Sequence, residues 1–459
     1  MTTIKSVYFL GIGGIGMSNL ARYFLAQKKQ VAGYDRTETP LTDELADEGA
    51  VIHYQDEVKL IPLFCLDKDT TLVVYTPAIS ADSQELAYFC ESGFTIQKRA
   101  QLLGEITKMS KALCCAGTHG KTTTSSMLAH ILRQSHLDCT AFLGGILKNY
   151  DNNLLLSDKS ELTVVEADEY DRSFHWLHPY MALVTSVDPD HLDIYGTEAE
   201  YIKSFEHFTS LIVPGGALVI KHNIKLSPQT EKSVRVYTYS ADKGDFHAEN
   251  IRIGNGEIRF DFVTPKETIR NIELGVPVRV NIENAVGAMA LAWLNGTTVD
   301  ELRRAIASFR GAQRRFDFLL KTDKTVLIDD YAHHPQELAA SITSVKELYP
   351  DRKVTGVFQP HLYSRTRDFA PEFAAALSLL DELILLDIYP AREKPIEGVT
   401  SKIIFDRVTC PKMLCRKDEL LDILKEKDDI EVLLTVGAGD IDRLLPEIKE
   451  IMESGLTAK

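Results

Sequence analysis

Apolar residues along this chain alternate between short solid runs and stretches in which they recur every three or four positions. That is the pattern of buried parallel strands interleaved with amphipathic helices. The runs fall at residues 7–10, 31–35, 50–54, 71–79, 94–96, 112–116, 162–169, 181–187, 325–328, 353–358, 383–387 and 432–436. Helical spacing follows several of them directly: over 17–27, at Met127, Leu128, Ile131 and Leu132, and at Val286, Met289 and Leu291. Strand and helix in alternation predict an α/β protein with mostly parallel sheets.

Two of the runs open into glycine turns. After the first comes Gly11-Ile12-Gly13-Gly14-Ile15-Gly16, which satisfies G-x-G-x-x-G, and the strand after its helix ends on Asp35. Such a turn holds a pyrophosphate on a helix N-terminus and the acid takes a ribose, so NAD and a UDP-sugar both suit it. After 112–116 comes Ala-Gly-Thr-His-Gly-Lys-Thr-Thr at 116–123. There Gly117 and Gly120 let backbone N–H groups turn inward around phosphate oxygens, with Thr118 and His119 between them. Lys121 would reach the β and γ phosphates and Thr122, followed by Thr123, would offer its hydroxyl to Mg²⁺. The pattern G-x-x-x-x-G-K-[ST] is met except at its first place, where Cys115 stands. A nicotinamide dehydrogenase has no use for a triphosphate loop, so the second turn favours a UDP-sugar in the first.

Polar clusters recur at the carboxyl ends of later strands, the edge where open α/β sheets bind ligands. Glu166 ends one strand and suits Mg²⁺, whereas Asp168 and Glu169 read equally well as solvated acids. His191, in Asp-Pro-Asp-His-Leu-Asp at 188–193, suits a metal or a phosphate. Asn281 reads as a helix N-cap, and with Asn284 on the same face it can contact a purine or phosphate. Arg314 and Arg315 offer bidentate phosphate contacts at a hinge-like stretch, 310–316. The last third carries Asp329-Asp330-Tyr331-Ala332-His333-His334-Pro335 and Pro360-His361-Leu362-Tyr363-Ser364-Arg365.

With 459 residues the chain should hold about three domains. The formal net charge of -15 argues against sequence-independent nucleic-acid binding, which needs a basic footprint. Seven cysteines show neither C-x-x-C nor zinc spacing and read as reduced thiols of a cytoplasmic protein. Lys5 before an apolar stretch has the outline of a leader, but the glycines at 11, 13, 14 and 16 make a strand and turn the better reading. No run reaches membrane-spanning length without charges.

Taken together, the motifs at 11–18, 116–123, 166–169 and 188–193, with Asn281, Asn284 and Arg-Arg-Phe-Asp at 314–317, resemble the Mur ligase family in order and spacing. The resemblance implies a Rossmann-like UDP-sugar domain (1–108), a central P-loop ATPase domain (109–316) and a Rossmann-like amino-acid domain (317–459). The implied activity is ATP-dependent addition of L-alanine to the lactyl carboxylate of UDP-N-acetylmuramate through an acyl phosphate, with closure of the last domain about 310–316. It further implies Lys121, His191 and Arg315 as catalytic residues, and Thr122, Glu166 and His191 as Mg²⁺ ligands. ATP would be held by 117–123, Asn281, Asn284, Arg315, Asp330 and His334. The UDP-sugar would lie on Gly11, Gly13, Gly14, Ile15, Gly16, Asp35, Thr76 and Ala78, and the amino acid on Tyr331, His361 and Arg365. Some relatives use a modified lysine after the histidine motif for a second metal, and in this chain that ligand stays unassigned around 201–207. Close relatives carry an arginine where this chain has Leu362, so a carboxylate contact made there must come from Arg365, Arg367 or elsewhere. A cytoplasmic monomer or weak homodimer is expected, with no nucleic acid or membrane partner. The alternatives are a tripeptide-adding recycling ligase of the same family, an NAD-dependent oxidoreductase and a silent UDP-sugar-binding regulator.

Overall fold

The computed structural model describes residues 4–80, 82–254, 256–391 and 393–457; the side chains of Leu192, Asp193 and 455–457 lie outside that description. Among the described residues four sheets organise the chain. The first is wholly parallel, in the order β3-β2-β1-β4-β5, from β1 (Ser6–Leu10), β2 (Gln30–Tyr34), β3 (Val51–His53), β4 (Thr71–Tyr75) and β5 (Thr95–Lys98). All five residues of β1 are buried, which is what a solid apolar run means when helices cover both faces of a sheet. The strand order reverses between β1 and β4, so the turns that follow those two strands flank one crevice.

The second sheet runs β12-β11-β10-β6-β9-β7-β8. Its strands are β6 (Lys111–Ala116), β7 (Thr140–Leu147), β8 (Asn152–Leu155), β9 (Leu162–Ala167), β10 (Pro179–Val184), β11 (Ala217–Lys221) and β12 (Arg235–Tyr239). Its pairs are parallel except the β7–β8 hairpin at the edge. A three-stranded sheet follows: β13 (His247–Gly254), β14 (Glu257–Val263) and β15 (Thr268–Glu273). The last sheet, β16-β17-β21-β18-β19-β20, uses β16 (Asp317–Lys321), β17 (Val326–Asp330), β18 (Val354–Phe358), β19 (Glu382–Leu385), β20 (Lys412–Leu414) and β21 (Val432–Val436). There the last strand in sequence sits between β17 and β18, and only β16 pairs antiparallel.

The chain divides into two compact units, 1–248 with 262–269 and 283–306, and 249–261 with 270–282 and 307–459. In the first, a continuous apolar core joins Val7, Phe9 and Leu20 to Cys114, Val165 and Ala182. In the second, Leu327, Val357, Ile384 and Leu433 form the core of the last sheet. All seven cysteines are free thiols, five of them buried. Among the described residues no helix is long and apolar enough to cross a membrane.

Three expectations need correction. The run at 71–79 is strand only to Tyr75, because Ile79 N–H turns back to Thr76 C=O and closes a turn over the crevice. The run at 181–187 is strand only to Val184; Thr185 and Ser186 leave the sheet to bond the glycine loop of 117–120. Asn281 is not an N-cap, since the helix begins at Arg279 and runs to Leu294. Its side chain donates instead to Val276 C=O at 3.2 Å.

Candidate functional site

The glycine turn after β1 is held by its neighbours before any ligand is considered. Gly11 N–H and Ile12 N–H both donate to Tyr34 C=O, and Gly13 N–H donates to Asp35 Oδ2 at 2.8 Å. The helix Ile15–Ala26 begins with Gly14 as its cap and no side-chain acceptor, so its first N–H groups remain available to an anion. A cavity of about 700 Å³ opens there. Gly11, Gly14, Ile15, Gly16, Asp35, Thr76 and Ala78 line one end, and it continues past Arg99 to Glu166 and Asp168. Arg99, on the cavity wall, pairs with Asp168 at 3.3 Å.

The triphosphate-type loop is clamped from the end of β10. Gly117 takes φ +138°, and a Cβ there would come within 2.0 Å of Thr185 Oγ1, so glycine alone fits. Thr118 N–H donates to Ser186 C=O at 3.2 Å, His119 N–H to Ser186 Oγ at 2.9 Å, and Thr118 Oγ1 to Asp188 C=O at 2.7 Å. The Lys121 ammonium folds over the loop to Gly117 C=O at 2.7 Å and pairs with Glu169 at 2.7 Å. Glu169 is 2% exposed, so the solvated reading of that acid is corrected. Burial raises its pKa, opposed by the charge of Lys121. His191, at φ +52°, stands 4.0 Å from Glu169 and 3.6 Å from Asp190.

Thr122 Oγ1 donates to Glu166 Oε1 at 3.0 Å, at the start of the helix Lys121–Arg133 whose first turn also holds Thr123. A hydroxyl and a carboxylate, both hard oxygen donors, suit Mg²⁺, which typically takes one or two protein oxygens and completes its shell with phosphates and water. Among the described residues no cluster of three or more His, Cys, Asp or Glu side chains could hold a metal ion by itself. Asn284 accepts from Thr124 Oγ1 at 3.3 Å, behind Gly120.

The second unit has its own polar rim at the carboxyl ends of β17 and β18. The guanidinium groups of Arg314 and Arg315 lie 4.9 and 5.3 Å from the centre of the Tyr331 ring. His333 Nδ1 donates to Tyr331 C=O at 2.9 Å, and the ring sits 6.2 Å from that of His361. Arg365 Nη1 is buried with no hydrogen-bond partner. Asp330 Oδ1 accepts from Phe316 N–H at 3.2 Å, and burial raises its pKa. His334 caps the helix Pro335–Leu348 and packs 5.1 Å from the ring of Phe369. Leu362 is at φ +69° and only 9% exposed, a buried packing position.

The structure thus gathers Gly11, Gly14, Ile15, Gly16, Asp35, Thr76 and Ala78 around one cavity, with Gly13 outside its lining, Lys121, Thr122, Glu166 and His191 around the loop, and Arg315, Tyr331, His361 and Asp330 along the second rim. Sequence reasoning missed Arg99, Thr185 and Ser186. For Arg99 a signal existed: it stands directly after a strand at the ligand-binding edge.

Residues 6–111 match the profile described as Mur ligase family, catalytic domain; 115–292 match Mur ligase middle domain; 314–439 match Mur ligase, glutamate ligase domain. A UDP-N-acetylmuramate--L-alanine ligase of Parabacteroides distasonis is 64% identical over 98% of this chain and 97% of its own length. One from Porphyromonas gingivalis is 56% identical over 98% and 100%. Among solved structures, a UDP-N-acetylmuramate-alanine ligase from Thermotoga maritima superposes with a TM-score of 0.81 at 27% identity, covering 99% of this chain and all of that one.

Proposed function

The chain belongs to the Mur ligase family, and on that premise we propose that it joins L-alanine to the lactyl carboxylate of UDP-N-acetylmuramate while ATP becomes ADP and phosphate. The observation that carries this reading is the single cavity running from the glycine turn to Glu166, whose carboxylate accepts the Thr122 hydroxyl of the phosphate loop. A sugar-linked acid on the turn and a γ-phosphate on the loop then meet in one space.

A carboxylate is a poor electrophile, so it must first be activated. A lactyl oxygen attacks the γ-phosphorus, the bond to the β-phosphate oxygen breaks, and ADP leaves an acyl phosphate. The alanine amine then attacks the acyl carbon, loses a proton, and phosphate departs. The protein's part in the first step is positioning and charge. The uncapped helix start at Ile15 and the Arg99 guanidinium hold the diphosphate, with Asp35, Thr76 and Ala78 along the UDP-sugar. Loop amides of 117–123 and Lys121 hold the β and γ phosphates, and Glu169 keeps the Lys121 ammonium aimed at the loop mouth. Mg²⁺ on Thr122 and Glu166, with His191 for a second ion, would supply charge neutralisation between those phosphates. Asn281, Asn284, Asp330 and His334 serve the nucleoside, and Arg315 its phosphates. The buried, unpartnered Nη1 of Arg365 suits the alanine carboxylate beside Tyr331 and His361, which leaves Leu362 no contact to make. The free thiols support a reducing, cytoplasmic setting, where the chain acts as a monomer or weak homodimer.

The test is phosphate release from ATP with UDP-N-acetylmuramate and, in turn, L-alanine, glycine, L-serine and a tripeptide. L-alanine should give the fastest release, and Lys121→Ala should abolish it while leaving UDP-sugar binding nearly intact. Faster turnover with the tripeptide, or no ADP with any acceptor, overturns the reading.

A further inference from the structure

One peptide unit connects the helix of the glycine turn to the carboxylate beside the phosphate loop. Leu143 C=O accepts from Asn19 Nδ2 at 2.8 Å, and the N–H of the same peptide, on Gly144, donates to Glu166 Oε2 at 3.1 Å. The other oxygen of Glu166 takes the Thr122 hydroxyl, so both sides of that carboxylate are oriented. A carbonyl only accepts, which turns the Asn19 amide with Nδ2 toward Leu143 and Oδ1 away. Asn19 is 3% exposed and its Oδ1 is buried without a hydrogen-bond partner. An unsatisfied buried oxygen costs stability relative to an apolar side chain of similar shape, a departure from good packing expected where the group has work elsewhere. A Cβ at position 144 would lie 2.3 Å from Glu166 Oε2, so any side chain there would push that carboxylate out of its place. A hydrogen bond at the carbonyl end of a peptide also polarises it and strengthens the bond its N–H makes.

The geometry points to Asn19 as a positioning residue: through the Leu143–Gly144 peptide it orients the Glu166 carboxylate for a divalent cation. It thereby ties the helix that carries the sugar-nucleotide turn to the metal position of the phosphate loop. This rests on the ligase reading for the identity of the two ligands.

The test compares Asn19→Leu, Gly144→Ala and the double variant with the unaltered protein in three measurements. These are Mn²⁺ binding with a non-hydrolysable ATP analogue by electron paramagnetic resonance, UDP-N-acetylmuramate binding without metal or nucleotide, and Tm. Asn19→Leu should weaken Mn²⁺ binding about tenfold, the scale for loss of a group that orients a metal ligand. Its UDP-sugar affinity should stay within about twofold and its Tm should hold or rise. The double variant should bind Mn²⁺ no more weakly than Gly144→Ala alone, since both act through one peptide. Unchanged Mn²⁺ affinity, additive losses, or a loss that travels with lower Tm and weaker UDP-sugar binding overturns the proposal. Should the leucine variant not fold, Asn19→Ser, too short to reach Leu143, is judged by the same measures. Absence of ADP formation by the unaltered protein would sink the ligase reading, while the Mn²⁺ comparison would still decide the part played by Asn19.

Discussion

Glu85 shows how much a single buried acid can hold. It is fully buried in the first unit, 2.5 Å from the Tyr8 hydroxyl and 3.3 Å from His53 Nε2, with Asp56 close by. Burial pushes its carboxyl from the ordinary 4.5 up to about 7. The unfolded chain therefore releases this proton at lower pH than the folded one. Between those two values the folded state binds more protons, so stability falls as pH rises, by about 3 kcal/mol in all, and levels off above pH ~7. Urea unfolding between pH ~5 and ~8 should show this slope, and Glu85→Gln should flatten it. Parallel curves for the two proteins would refute the assignment. Nothing in the local sequence announces such a residue. Glu85 follows a helix cap and reads as a surface acid of a first turn, and only the packing of Tyr8 and His53 over it removes the water.

Among elements, the solid apolar runs were legible because a strand buried on both faces needs no alternation. Short amphipathic strands were not. β14 alternates buried and partly exposed positions, and β16 is an antiparallel edge strand carrying Asp317 and Lys321. The β7–β8 hairpin escaped notice as well, although it carries the Leu143–Gly144 peptide. The helix at Arg279 starts before its periodic face, since Arg279 and Val280 are exposed and show no apolar rhythm. The strand β21 was visible as a run, yet its place in the middle of the last sheet was not. Its Leu433 is fully buried in that core. Leu433→Ala should cost about 2–5 kcal/mol, seen as a lower urea midpoint for the second unit. An unchanged midpoint would mean that the site collapses around the cavity, or that β21 does not hold the sheet together.

For the whole molecule, two compact units with separate apolar cores predict two cooperative transitions rather than one. The cavity proposed for the sugar nucleotide is lined by residues of the first unit alone. UDP-N-acetylmuramate at about 100 times its Kd should therefore stabilise the first transition by about 2.7 kcal/mol and leave the second in place. Differential scanning calorimetry decides it, and equal shifts of both transitions would reject the separation. Length alone pointed to about three domains. The continuity of one core across the first two sheets could not be read from it, because cores are made of side chains that meet only after folding.

Local chemistry is what the chain alone determined: two glycine turns before helices, acids and histidines at strand ends, and the alternation that makes an α/β fold. These follow from backbone geometry and hydrophobic period, which act over a few residues. Tertiary structure alone decided which of those groups share a space. It turned Glu169 from a surface acid into the partner of Lys121, set Arg99 on the cavity wall, and brought Asn19 and Glu166 to opposite ends of one peptide. Such pairings join residues far apart in sequence, and no local preference encodes a contact whose existence depends on how the sheets pack.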